Sequence, residues 1–112
     1  MLLLNHAIGF ASKSSSFGGS VDVADAFSTD IYTGDAVSQA ISNGVDLSTE
    51  GGLVWVKNRT NGTLNHYLFD TERGATKSLN SNNSNIEETD VNTLTAFNSD
   101  GFDLGSSWKV NQ

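Results

Sequence analysis

Gly51-Gly52-Leu53-Val54-Trp55-Val56-Lys57-Asn58-Arg59 is the stretch whose reading decides the fold of this chain. Leu53 to Val56 are apolar in succession, which predicts a strand covered on both faces or lying at a sheet centre, with Trp55 in the core. Asn58-Arg59-Thr60-Asn61-Gly62 supplies residues that tolerate turn backbone and predicts a hairpin into Leu64 to Asp70. In that second strand Tyr67 and Phe69 share one face, while His66 and Leu68 share the other. The two strands are expected to be antiparallel neighbours.

Outward from this pair the pattern stays β. Val21 and Val23 alternate with Asp22, Phe27 to Tyr32 carries β-branched and aromatic residues, and Val37 to Ile41 alternates apolar with polar positions. Thr33-Gly34-Asp35 and Ser42-Asn43-Gly44 are the expected turns between them. Downstream, Leu79 to Asn85 reads as an exposed loop and Ile86 to Asn92 as a single helical turn. Leu94 to Phe97 and Phe102 to Leu104 flank a turn at Asn98-Ser99-Asp100-Gly101, and Trp108 to Val110 begins a last strand. Such a strand would leave an edge to be covered by a further strand, a neighbouring subunit or more chain. Short strands every 8 to 12 residues with turn signals between them predict an all-β fold, an antiparallel sandwich of the jelly-roll kind.

Composition bounds the partners. The 112 residues suffice for one domain, and Ser, Asn, Gly and Thr fill 48 of the positions while Pro is absent. Six Lys and Arg against thirteen Asp and Glu give a net charge of −7, which leaves no surface to neutralise phosphates and argues against nucleic acid and anionic membranes. Without cysteine there is neither a disulfide framework nor a thiolate metal site. The apolar start, Met1 to Leu4 and Ala7 to Ala11, is interrupted by Asn5, His6 and Gly9 and is too short to insert across a bilayer. It precedes Ser12-Lys13-Ser14-Ser15-Ser16-Phe17-Gly18-Gly19-Ser20, whose composition is that of a linker. Residues 1–20 therefore read as an extended N-terminal arm and residues 21–112 as the β-domain. Within the arm Leu2, Leu3, Leu4, Ile8 and Phe10 are the residues expected to anchor the chain to a partner.

No segment carries recognisable catalytic chemistry. His6 and His66 lack the spaced partners of a tetrahedral metal site. Glu87, Glu88 and Asp90 are the densest carboxylates but lie in a polar, loop-like stretch unsuited to raising one pKa against another. Asn98 to Asp103 offers several oxygens over a tight turn, yet lacks the downstream bidentate Glu of a calcium loop. Glu72-Arg73-Gly74 reads as a structural corner, with the guanidinium bonding carbonyls or a carboxylate. The chain is accordingly expected to be no enzyme and to need no cofactor or metal.

Tyr32-Thr33-Gly34-Asp35, Gly44-Val45-Asp46-Leu47, Gly51 to Lys57, Phe69 to Lys77 and Phe97 to Phe102 occur in that order. As a set they resemble a module recurring in the tail-fibre and related virion proteins of marine and freshwater tailed bacteriophages, a lectin-like, concanavalin-type β-sandwich. The resemblance covers roughly residues 30 to 112 and extends to the Met-Leu-Leu start. It implies a virion structural protein, a tail fibre or its N-terminal part, attached to other tail or capsid proteins through the arm. Such a fibre would be a homo-oligomer, a trimer, and would support recognition of a host cell-surface glycan. A capsid decoration or head-fibre protein is the alternative within the same particle, and a carbohydrate-binding module the alternative from another class.

Overall fold

The computed structural model describes residues 2–5 and 22–112. The expected central strand forms as β4, Gly52–Lys57 (numbering strands in chain order), and the strand after the turn as β5, His66–Asp70. They pair antiparallel with Trp55 opposite Leu68 and Val54 opposite Phe69. The other strands are β1 (Leu2–Asn5), β2 (Phe27–Thr29), β3 (Gln39–Ser42), β6 (Lys77–Asn80), β7 (Glu88–Thr89), β8 (Leu94–Asn98) and β9 (Gly101–Leu104). One sheet has the order β2-β1-β4-β5-β6-β7 and the other β3-β9-β8, with every pairing antiparallel. The protein is thus mostly β with two antiparallel sheets, an arrangement compatible with an all-β sandwich.

Both sheets contribute to one core. Val54, Val56, Tyr67 and Phe69 from the larger sheet meet Ile41, Leu94, Phe102 and Leu104 from the smaller, and Val45, Leu47 and Val110 close the space from the connections. Burial alternates strictly along β4 and β5, because successive side chains point to opposite faces. Val54 and Phe69 are fully enclosed, whereas Trp55 and Leu68 are half-buried on the far face. The expectation that Trp55 is core is thereby corrected: the run Leu53 to Val56 is apolar on both faces, but only its even-numbered residues face the other sheet. On the outer face Trp55 lies against His66, with ring centroids 5.8 Å apart.

Several expected elements change. Val23 begins a four-residue helix, α1 (Val23–Ala26), because Asp22 caps it by accepting the Ala24 amide at 3.0 Å. The β stretch expected from Phe27 to Tyr32 shortens to Phe27–Thr29, and the bend after it falls at Ala36 and Val37, not at Thr33 to Asp35. A second short helix, α2 (Leu47–Glu50), starts under the cap of Asp46, which accepts the Thr49 amide at 2.9 Å and the Ser48 hydroxyl at 3.0 Å. Burial acts to raise the Asp46 carboxyl, but the Thr49 and Ser48 donors outweigh it and hold it below its ordinary value. In place of a helical turn at Ile86 to Asn92 the chain forms β7, paired to β6 through Lys77 with Thr89 and Ser78 with Glu88.

Between β8 and β9, Gly101 has φ 153°, and a Cβ there would lie 1.9 Å from the Ile41 carbonyl oxygen. The glycine is required both by the approach of β3 and by its positive φ. Across β8 and β9 the register shifts between Leu94 and Ala96, a bulge that sets Thr95 outside the ladder.

The expected last strand at Trp108 to Val110 is also corrected. These residues form a turn, with the Val110 and Asn111 amides donating to the Ser107 carbonyl at 3.2 and 2.9 Å. Trp108 is left 53% exposed and Val110 is directed into the core. No sheet edge is created there.

The sequence assigns residues 1–20 to an arm ahead of the β-domain. The backbone of Leu2–Asn5 forms β1, paired between β2 and β4. Ile8 and Phe10 lie outside the described residues.

Candidate functional site

The cleft with the most varied chemistry, about 270 Å³, opens where residues 30–34, the end of β4 with its following turn, and residues 110–112 converge. Three local devices build it. Asn58 folds the chain after β4, its Oδ1 accepting the Thr60 and Asn61 amides at 2.8 Å each, while its Nδ2 donates to the Gln112 carbonyl at 3.3 Å. Lys57 turns back over the same loop, its Nζ donating to the Asn58 and Leu64 carbonyls at 2.8 and 3.1 Å. Tyr32 forms the floor, donating its hydroxyl to the Val110 carbonyl at 2.5 Å. Burial holds that hydroxyl well above its ordinary pKa, so it is a neutral donor at any physiological pH.

Asn111, fully buried and outside the lining, sits between the lining residues Val110 and Gln112. Its Nδ2 donates to the Val37 and Gly105 carbonyls at 2.6 and 2.8 Å, and its Oδ1 accepts from the Asp35 amide and from Gln39 Nε2 at 3.2 and 2.5 Å. Gly34 fits only because it lacks a side chain, since a Cβ there would lie 2.3 Å from the Gln112 nitrogen. With these groups occupied, the cleft presents Arg59 and Thr60, both exposed, at its rim, together with exposed Ile31. With Asp30 also in the lining, a cation, a carboxylate and hydroxyls beside an apolar lip suit a polar ligand.

Elsewhere the carboxylates serve the framework. Asp22, Asp35 and Asp46 accept backbone amides, Asp30, Asp100 and Asp103 accept the side chains of Ser28, Ser42 and Asn98, and Asp70 pairs with Arg73 while accepting its amide. The corner expected at Glu72-Arg73-Gly74 is therefore held by an ion pair to Asp70. The acidic stretch gathers round Lys109, which bonds Glu88 and lies 3.2 Å from Asp90. Burial acts to raise the Asp90 carboxyl, but the Asn92 amide, Lys109 and the Ser107 hydroxyl outweigh it and lower it. Burial likewise acts to lower Lys109, and Glu88 and Asp90 overcome it and raise it. Among the described residues no three His, Asp or Glu side chains are grouped to hold a metal ion. Nor is any helix among them long and apolar enough to cross a membrane.

Sequence reasoning missed the cleft because its parts are Asn, Tyr and Lys scattered over some eighty positions. The one local signal was the repeated Asn in Asn58-Arg59-Thr60-Asn61-Gly62-Thr63, where each Asn side chain caps the backbone two residues on. Of the expected anchoring residues, Leu2, Leu3 and Leu4 fall in β1. Compared with known families, residues 22–112 match a domain of unknown function, DUF7483. No curated protein and no solved structure matches the chain.

Proposed function

The chain belongs to the DUF7483 family, whose description names no activity, and we propose that it is a non-enzymatic structural protein of a bacteriophage particle. It would be the β-rich body of a tail fibre or of the fibre's N-terminal part, a concanavalin-like sandwich assembled as a homo-oligomer and attached to neighbouring virion proteins. The observation that carries this reading is where the phage-like motifs fall. Gly51 to Lys57 spans the central strand, Phe69 to Lys77 a strand end and its ion-paired corner, and Phe97 to Phe102 the β8–β9 hairpin. They are framework positions, and nine of the thirteen carboxylates that hydrolytic chemistry could draw on hold caps, turns and ion pairs.

Mass spectrometry of purified particles of the encoding phage should recover this chain after a high-salt wash, and antibody labelling should place it at the tail. Its absence from such particles would overturn the proposal, and labelling over the shell would turn it to a head fibre. Ile8→Ser with Phe10→Ser tests the attachment while leaving β1 intact: incorporation should be lost with the circular dichroism spectrum unchanged.

The cleft at Tyr32, Asn58 and Arg59 favours a second reading, a carbohydrate-binding module. Glycan-array binding by the purified chain, removed by Arg59→Ala, would support it.

A further inference from the structure

We propose that β1 is an exchangeable strand, and that in an assembly the Leu2–Asn5 segment of one copy fills the slot between β2 and β4 of a second copy. Three observations lead there. The family match begins at residue 22, so among the described residues eight of the nine strands belong to the family domain and β1 lies outside it. Yet β1 is not peripheral. It pairs with β4 from Leu2 opposite Trp55 to Asn5 opposite Gly52, and it is the strand that ties β2 to the sheet. Empty, the slot would expose the backbone of Gly52 to Trp55 along an apolar strand, an edge that invites strand addition.

The connection permits exchange. Residues 6–21 join β1 to the N-cap of α1, and sixteen residues reach at most roughly 50 Å, at about 3.3 Å each. The longest dimension of the fold is 46 Å, so the connection is long enough to span a distance comparable to one whole copy. In that slot it makes the same backbone bonds in the same register, so exchange changes only which chain supplies them. At the high local concentration of an assembly, delivery from a neighbour competes with closing the loop at home.

Charge selects this segment as well. In a chain of net charge −7, residues 1–11 carry no Asp, Glu, Lys or Arg, and neither do Phe27–Thr29 and Gly52 to Val56, the two sides of the slot. Copies that repel one another elsewhere meet here without that penalty.

The test uses the full chain, which has no cysteine of its own. Leu4→Cys and a mass-tagged Leu53→Cys, at positions opposed in the ladder, are co-refolded and oxidised. A covalent heterodimer well above the dimer formed by Leu4→Cys alone is expected. In the double variant Leu4→Cys/Leu53→Cys the disulfide should join two or more copies. Leu3→Cys with Val54→Cys repeats the measurement at the other type of antiparallel pair, whose Cα separation differs. Disulfides confined within single chains would overturn the proposal. So would the absence of any disulfide in both register pairs, because the slot would then hold β1 of no copy.

Discussion

The space between the two sheets and the Asn111 side chain are both closed to water, although residues 32–38, one of the segments that Asn111 joins, are largely exposed, and different forces hold the two regions. Between the sheets, Phe69, Phe102, Leu94 and Leu104 are fully buried, and their backbones are already paired in ladders, so only apolar contact is needed there. Residues 32–38 and 105–111 have no ladder to occupy their amides and carbonyls. Loop bonds such as that from the Ala36 amide to the Asn111 carbonyl take some of them, and one buried amide side chain takes others, bridging Asp35, Val37, Gln39 and Gly105. Regular backbone lets a core be purely apolar, whereas irregular backbone brought inside must carry its polar partners with it.

The comparison can be broken from either side. Phe69→Ala should have the largest effect, a loss of about 4 kcal/mol in urea unfolding, as removal of a fully enclosed ring leaves a cavity that the paired strands cannot collapse into. Asn111→Ala should cost about 2 kcal/mol, since it leaves the buried Gly105 carbonyl without its donor and frees the partly buried Val37 carbonyl, Asp35 amide and Gln39 side chain. Asn111→Leu should be no better although it refills the volume, and near-native stability for the leucine variant would show that packing, not hydrogen bonding, closes this junction. Trp55→Ala, one position along β4 from Val54 but on the outer face, should cost only about 1 kcal/mol. A loss as large as that of Phe69→Ala would mean that a second layer covers that face.

Lys109→Met gives the smallest change, about 0.5 kcal/mol near neutrality, because its ion pairs are partly solvated. Its signature is the pH dependence. Asp90 is held below its ordinary value, so its contribution is present above the unfolded pKa near 3.9 and disappears as pH falls through the lower folded value. Lys109 is held above its ordinary value, so its contribution is complete below about pH 10.4 and disappears as pH rises through the higher folded value. Thermal unfolding of Lys109→Met should therefore decline less steeply than the native chain at both extremes, and parallel curves would discard the ion-pair account.

Much of the fold was legible because it is written locally. Alternation put Tyr67 and Phe69 together on one face of β5, and the turn residues from Asn58 to Gly62 gave the β4–β5 pairing. The failures have physical causes. Asp22 and Asp46 are caps whose helices run only four residues, too short to show a helical period. Trp108 to Val110 has the residues of a strand, but the amides of Val110 and the following Asn111 turn back to the Ser107 carbonyl. Nothing local separates the two faces of Leu53 to Val56, because which one meets the other sheet depends on strands forty residues away.

The sequence by itself determined the β character, the turns, the acidic surface and the central strand, since each follows from side-chain shape, charge and spacing within a few residues. Tertiary structure alone decided that Asn111 is buried, that Gly34 and Gly101 cannot carry a side chain, that Tyr32 meets Val110 across 78 positions, and that β1 stands between β2 and β4. Each depends on where distant backbone arrives, and short-range propensity carries no record of that.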